Sequence, residues 1–309
     1  MDTLGAVAHP GGLVVRRPEL TVGVVLAVSR LSGLEIELLA RHSGDGPGTP
    51  APRRLLPAYD EGIDLRAGLL DHTGRVRWEF AISCSSDSNG DGEHHRPVFR
   101  FPPVFDEMSL VLAWPEIGFP ETVLRLPLPD RQTVSLATTS IWQAPPDVRA
   151  VPEGLTHRAD EDRDPPAVET GTNLTPPRVL HSRDHEVAVV LTRLTAVDSL
   201  LSLELLSAAR GGTADAVNAR AFTPRRRSFG GLGDVARIRA RAQGASVAAV
   251  SGHEAVWLRP GDGSASGGDQ SFSCLQEFTL QRPSRDVLDL VVGWPLAGLD
   301  DVRISLSLT

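Results

Sequence analysis

Apolar residues in this chain come in short blocks, alternating with polar ones or running unbroken, and the blocks are separated by Gly, Pro, Asp and Asn. That is the two-residue period of strands rather than the 3.6-residue period of helices. In the first half the pattern predicts strands at Val22 to Arg30, Leu34 to Arg41, Ile63 to Leu70, Val76 to Ser83, Val98 to Phe101, Leu110 to Trp114 and Thr122 to Leu128. Asp71-His72-Thr73-Gly74 supplies a hairpin turn between two of them. About seven or eight short strands with frequent turns predict a β-sandwich, immunoglobulin-like or jelly roll, and the pattern does not choose between the two.

The same pattern returns in the second half. LVLAWPEIGFPETVLRLPL (Leu110 to Leu128) matches LVVGWPLAGLDDVRISLSL (Leu290 to Leu308) without a gap. Trp78 pairs with Trp257, the PRR of Pro52, Arg53 and Arg54 pairs with Pro224, Arg225 and Arg226, and Val28 to Ala40 resembles Leu191 to Ser207. The offset between matched positions only grows along the chain, as a duplication with loop insertions requires. The expectation is an all-β protein of two tandem, internally duplicated sandwich domains, 1–143 and 178–309. In each, a Trp-Pro pair (Trp114-Pro115, Trp294-Pro295) ends a buried strand, because Pro withholds a ladder donor.

Between them, 144–177 carries APP, DPP and TPP with Asp160, Glu161, Asp162 and Asp164 and lacks apolar periodicity, the chemistry of a Pro-rich acidic linker. A short helix near 130–142 is expected to close the first domain, capped by Asp130 with Val134, Ala137 and Ile141 on one face.

Composition narrows the function classes. A chain of 309 residues with 41% apolar residues can bury two cores without metals or disulfides. A net charge of −8 argues against nucleic acid or an anionic membrane as partner, and all 31 basic residues are Arg. Two cysteines, Cys84 and Cys274, fall at non-equivalent places and read as reduced thiols. With no signal-like N-terminus and no span-length apolar run, the reading is a soluble cytoplasmic protein.

Candidate chemistry is sparse. Asp87-Ser-Asn89-Gly-Asp91-Gly92 matches the first half of a calcium loop, whose alternating oxygens wrap a hard cation. Its second half fails, since Val98 stands where a bidentate Glu belongs, so a solvated, flexible hairpin loop over Ser85 to His95 is expected, with a mobile loop also over Gly261 to Gln270. His94 and His95 could join those carboxylates at a transition-metal site, but neighbours on a strand point to opposite faces. His181 and His185 have helical ligand spacing in a stretch read as strand. Gly231-Leu-Gly233-Asp-Val-Ala236 has the letters of a dinucleotide fingerprint without a preceding strand.

Arg53, Arg54, Arg225 and Arg226 are the one polar feature repeated at matching positions, and guanidinium forks can grip carboxylate or phosphate. Arg30 and Arg193, also matched by the repeat, sit at strand ends and each reads as a structural partner for an acidic residue. The function these features favour is a non-enzymatic binding or scaffold protein with a protein partner and no cofactor. The second reading is a calcium-dependent or carbohydrate-directed module using Asp87, Asn89, Asp91 and exposed aromatics such as Trp142. The third is an enzyme with an interdomain pocket.

Overall fold

The computed structural model describes residues 2–42, 55–56, 64–89, 92–160, 170–222, 233–261 and 263–308, and at 87–89 the backbone alone. Arg53, Arg54, Arg225, Arg226 and Asp91 lie outside the described residues, as does Gly231. The chain divides into two compact units, Gly5–Thr138 with Glu169–Thr172, and Met1–Leu4 with Thr139–Val168 and Asn173–Thr309.

The first unit contains β1 (Ala6–His9), β2 (Gly12–Arg16), β3 (Leu20–Arg30), β4 (Gly33–His42), β5 (Arg66–Leu70), β6 (Val76–Glu79), β7 (Ala81–Asn89), β8 (Gly92–Phe101), β9 (Glu107–Trp114), β10 (Phe119–Pro127) and α1 (Arg131–Ala137). One sheet has the order β1-β3-β4-β8-β7, with β2 also on β3, and the other β10-β9-β5-β6. Leu38, Phe99 and Val24 of the first sheet and Leu110, Leu112 and Trp114 of the second meet in one buried core, which makes the unit a β-sandwich.

The second unit contains β11 (Thr156–Ala159), β12 (Thr172–Asn173), β13 (Arg178–Arg183), β14 (Val187–Val197), β15 (Leu200–Arg210), α2 (Gly211–Ala221), α3 (Asp234–Arg241), β16 (Ser246–Ser251), β17 (Glu254–Trp257), β18 (Gly263–Gly268), β19 (Ser271–Gln281), β20 (Val287–Trp294) and β21 (Leu299–Ser307). Its sheets run β12-β14-β15-β19-β18, with β13 on β14, and β11-β17-β16-β20-β21. Both enclose a core of Leu203, Leu205, Phe278, Leu290, Val292 and Trp294.

Strand order and register correspond between the units. β3 and β4 pair with a bulge between Val24 and Leu26, where Leu26 faces Glu37; β14 and β15 pair with a bulge between Leu191 and Arg193, where Arg193 faces Glu204. Trp114 and Trp294 each end a buried strand at 2% and 0% exposure. Each is followed by a 3-10 turn opening with Pro and closed by a left-handed Gly, Gly118 or Gly298, whose N–H returns to the Pro carbonyl.

Four local expectations are corrected. α1 is capped by Asp130, which accepts from Thr133 N at 2.9 Å, but it stops at Ala137 because Thr138 turns extended, so Ile141 leaves the helix and packs with Val179 and Val190. Within 144–177, Thr156–Ala159 forms a strand parallel to β17, and Val151 and Leu155 pack beside buried Trp257. An open sheet edge offers donors and acceptors that even a polar stretch can satisfy, which propensity does not register. Over 85–95 the expected hairpin is paired further than the sequence pattern predicts, β7 and β8 running together until Asn89 faces Gly92. Arg193 is not at a strand end; it is 3% exposed in mid-β14, between Glu277 at 3.0 Å and Glu204 at 3.5 Å.

Candidate functional site

The β4–β8 ladder sets His42 opposite Glu93 and Ala40 opposite His95. Side chains two apart on one strand share a face, so His42, Glu93 and His95 project together, and His94, between two of them, turns to the other side. His42 Nε2 lies 3.1 Å from one Glu93 oxygen and His95 Nε2 3.7 Å from the other. All three ligand-type atoms fall within 4.8 Å of one another.

Beneath them is Trp114, brought by β9 of the opposing sheet. Both imidazoles stand edge-on to its indole, at centroid distances of 5.0 Å and 4.9 Å, and lie roughly parallel to each other at 5.6 Å. The His side chains are 11% and 13% exposed while Glu93 is 49% exposed, so the cluster has an apolar floor and one opening to solvent. His95 Nε2 is buried with no hydrogen-bond partner among the described residues. Burial holds its pKa below the ordinary histidine value against the pull of Glu93, and His42 adds to the lowering.

The second unit has the same framework without this chemistry. Counting from the bulge, His42 corresponds to Ala209, which faces Phe272, and His95 corresponds to Cys274, which faces Ser207. Phe272 packs on Trp294 at 5.8 Å, and Cys274 is buried. Trp294 Nε1 donates to the Gln243 carbonyl at 3.0 Å, whereas Trp114 Nε1 has no partner among the described residues. The sandwich therefore closes over its Trp with apolar residues, and the histidines answer no need of the fold.

A second feature lies at the edge of the same sheet. Among the described residues β7 pairs only with β8. A bulge between Ala81 and Ser83 turns Ile82 outward, and Phe80 and Ile82 are 75% and 53% exposed. The corresponding edge, β18, carries only Gly, Ser and Ala, and α2 caps its far end: Asn218 Nδ2 donates to the Gly268 carbonyl and to the Ser271 carbonyl of β19, both at 3.0 Å, and Gly267 leaves no room for a Cβ against Asn218 and Phe222.

The remaining sequence candidates are dispersed. Asp87 and Asn89 lie in extended β7 and, as backbone, form no wrapped loop. His181 sits on β13 with Nε2 3.1 Å from the Asp300 carbonyl, and His185 Nδ1 is 2.5 Å from the Trp142 carbonyl, so they are not helical ligands. Trp142 is half-buried with the Arg210 guanidinium 4.7 Å over its ring, not an open platform for sugar. Gly233 does cap a helix, α3, but α3 is tied down by Arg239, which forks onto Asp301 at 2.9 and 2.6 Å and lies over Trp257. His42 escaped the sequence reading because only strand register joins it to His95; the available signal was its place five residues beyond Glu37.

No family model matches the chain, and no curated protein matches it. No helix among the described residues is long and apolar enough to cross a membrane. Solved structures that resemble it include bovine butyrophilin, at 11% identity and TM-score 0.21, covering 91% of this chain and 93% of that one. A conserved domain protein from Bacillus anthracis has 9% identity and TM-score 0.21 over 99% and 92% of the two chains. The N-terminal periplasmic domain of ScsB from Proteus mirabilis has 11% identity and TM-score 0.20 over 98% and 100%. Likenesses this weak assign no function.

Proposed function

We propose that this protein is a binding or scaffold protein whose first unit takes up an extended segment of a partner protein as an added strand along β7. The observation that carries this reading is the unequal treatment of one edge in two matching sandwiches. Both β18 and β7 end their sheets, but β18 carries only Gly, Ser and Ala and has its Gly267–Gly268 end capped by α2, while β7, paired among the described residues with β8 alone, leaves Phe80 and Ile82 in solvent. Exposed apolar side chains on an open edge are a hazard that soluble proteins otherwise remove, and strand addition uses both elements, backbone for affinity and side chains for selectivity. The net charge of −8 supports a protein rather than nucleic acid as the partner. The unpaired Cys84 and Cys274 support a reducing, cytoplasmic setting.

Display of random peptides against the whole chain tests it. Selected peptides should slow amide exchange in β7 and should bind Phe80→Asp and Ile82→Asp variants at least about tenfold more weakly, while these exposed substitutions leave stability within about 0.5 kcal/mol. Peptides that bind both variants undiminished would place the recognition surface elsewhere.

A further inference from the structure

We propose that His42, Glu93 and His95 form a binding site for a divalent transition-metal ion of the zinc type, with its open position toward solvent. This stands on observations separate from the strand-addition reading. Two imidazole nitrogens and a carboxylate are the donor set that suits zinc, nickel, copper(II) or iron(II), and calcium, which seeks six or more oxygens, is a poor match.

The separations are close to what such an ion needs. With metal–nitrogen and metal–oxygen bonds of about 2.0–2.2 Å, ligand atoms around a tetrahedral ion lie about 3.4 Å apart. Here the two imidazole nitrogens lie 3.1 and 3.7 Å from different oxygens of Glu93, and one ligand atom from each residue falls within 4.8 Å of the others, so closure takes side-chain movements of about an ångström. His95 Nε2 is buried, has no hydrogen bond among the described residues, and faces the same Glu93 carboxylate as His42 Nε2. The rigid ladder and the Trp114 floor fix both rings edge-on before any ion arrives, which lowers the ordering cost of binding.

A purely structural origin for the cluster is opposed by the second unit, which fills these positions with Ala209, Phe272 and Cys274 and buries its Trp as completely. Three ligand-type side chains, from two strands, converge only in the unit whose fold is satisfied without them.

The test is titration of the metal-free full chain with zinc against a chromogenic chelator, and with cobalt(II) followed by its visible absorption. The expected result is one ion per chain, the intense spectrum of a four- or five-coordinate cobalt, and no competition from millimolar calcium. His42→Ala and His95→Ala should each weaken zinc binding by about a hundredfold or more, since even residues that only support a ligand contribute tenfold to a hundredfold. His72→Ala, in the exposed turn before β6, should leave it unchanged.

Because a single truncation could disturb packing on Trp114, the double variant His42→Ala with Glu93→Phe copies Ala209 and Phe272 of the second unit; it should keep the melting temperature and lose the ion. Zinc binding that persists in the double variant, or in both single histidine variants, overturns the proposal, as does the absence of stoichiometric binding to the folded wild-type chain.

Discussion

Trp294 does two jobs at one position: its ring is fully buried among Phe272 and the sheet residues, and its Nε1 donates to the Gln243 carbonyl. Trp294→Ala therefore removes packing and strands a buried acceptor, and the expected loss is about 3–5 kcal/mol, read from the denaturant midpoint of the second unit. Cys274 gives a second residue-scale outcome. Its burial pushes the thiol up to about 11, against 9.0 for a free one. Below pH 9 folded and unfolded chains both keep the proton; between 9 and about 11 the unfolded chain ionises and the folded one does not. Stability is thus full below the unfolded value and falls as pH rises through that window. Comparing urea midpoints at pH 8 and pH 10.5 should show a loss for the wild type that is smaller in Cys274→Ala. Native chain should likewise react with thiol reagent at Cys84 and hold Cys274 back until denatured.

At the scale of elements, the corner that follows each Trp-Pro pair is built on a glycine with positive φ, 69° at Gly298. A Cβ there would also meet Arg183 Nη1 at 2.9 Å, a guanidinium that donates to the Ala297 and Gly298 carbonyls. Gly298→Ala should cost about 1–2 kcal/mol in thermal or chemical unfolding, without altering the sheet order. Such elements were readable in the sequence because their signals are local. Alternation marked β3, β4 and β9, and the Trp-Pro corners announced the strand ends.

What was not readable depends on partners distant in the chain. Thr156–Ala159 has no strand pattern of its own and becomes a strand only because β17 leaves an edge beside it. The expected helical face lost Ile141 because a tertiary cluster with Leu4, Val179 and Val190 takes it. His42 and His95 were each unremarkable, and only the register fixed by the β4–β8 pairing makes them neighbours. Sequence pairing of Arg30 with Arg193 failed for the same reason: the bulges set Arg193 level with Leu26, not with Arg30.

For the molecule as a whole, the boundary of the second unit is the consequential one, since it gathers Met1–Leu4, Thr139–Val168 and Asn173–Thr309. Leu4 N donates to the Thr139 carbonyl, and the Leu4 side chain is buried with Ile141 and Val190. A fragment covering 178–309 should therefore melt lower than the same unit in the full chain, whereas a fragment covering 5–138, which lacks only Glu169–Thr172 of its unit, should lose less. Equal melting of the 178–309 fragment would show that the earlier pieces add nothing.

This discontinuity also sets an order of events during synthesis. Asp2–Leu4 leave the ribosome before the first sandwich, and the first sandwich before the strands that finally bury Leu4. The first sandwich can close early, as domains commonly do while translation continues. Its neighbour cannot: the apolar side chain at position 4 waits, uncovered, until β14 and β15 have been made, so a residue synthesised ahead of the first sandwich is buried only after it.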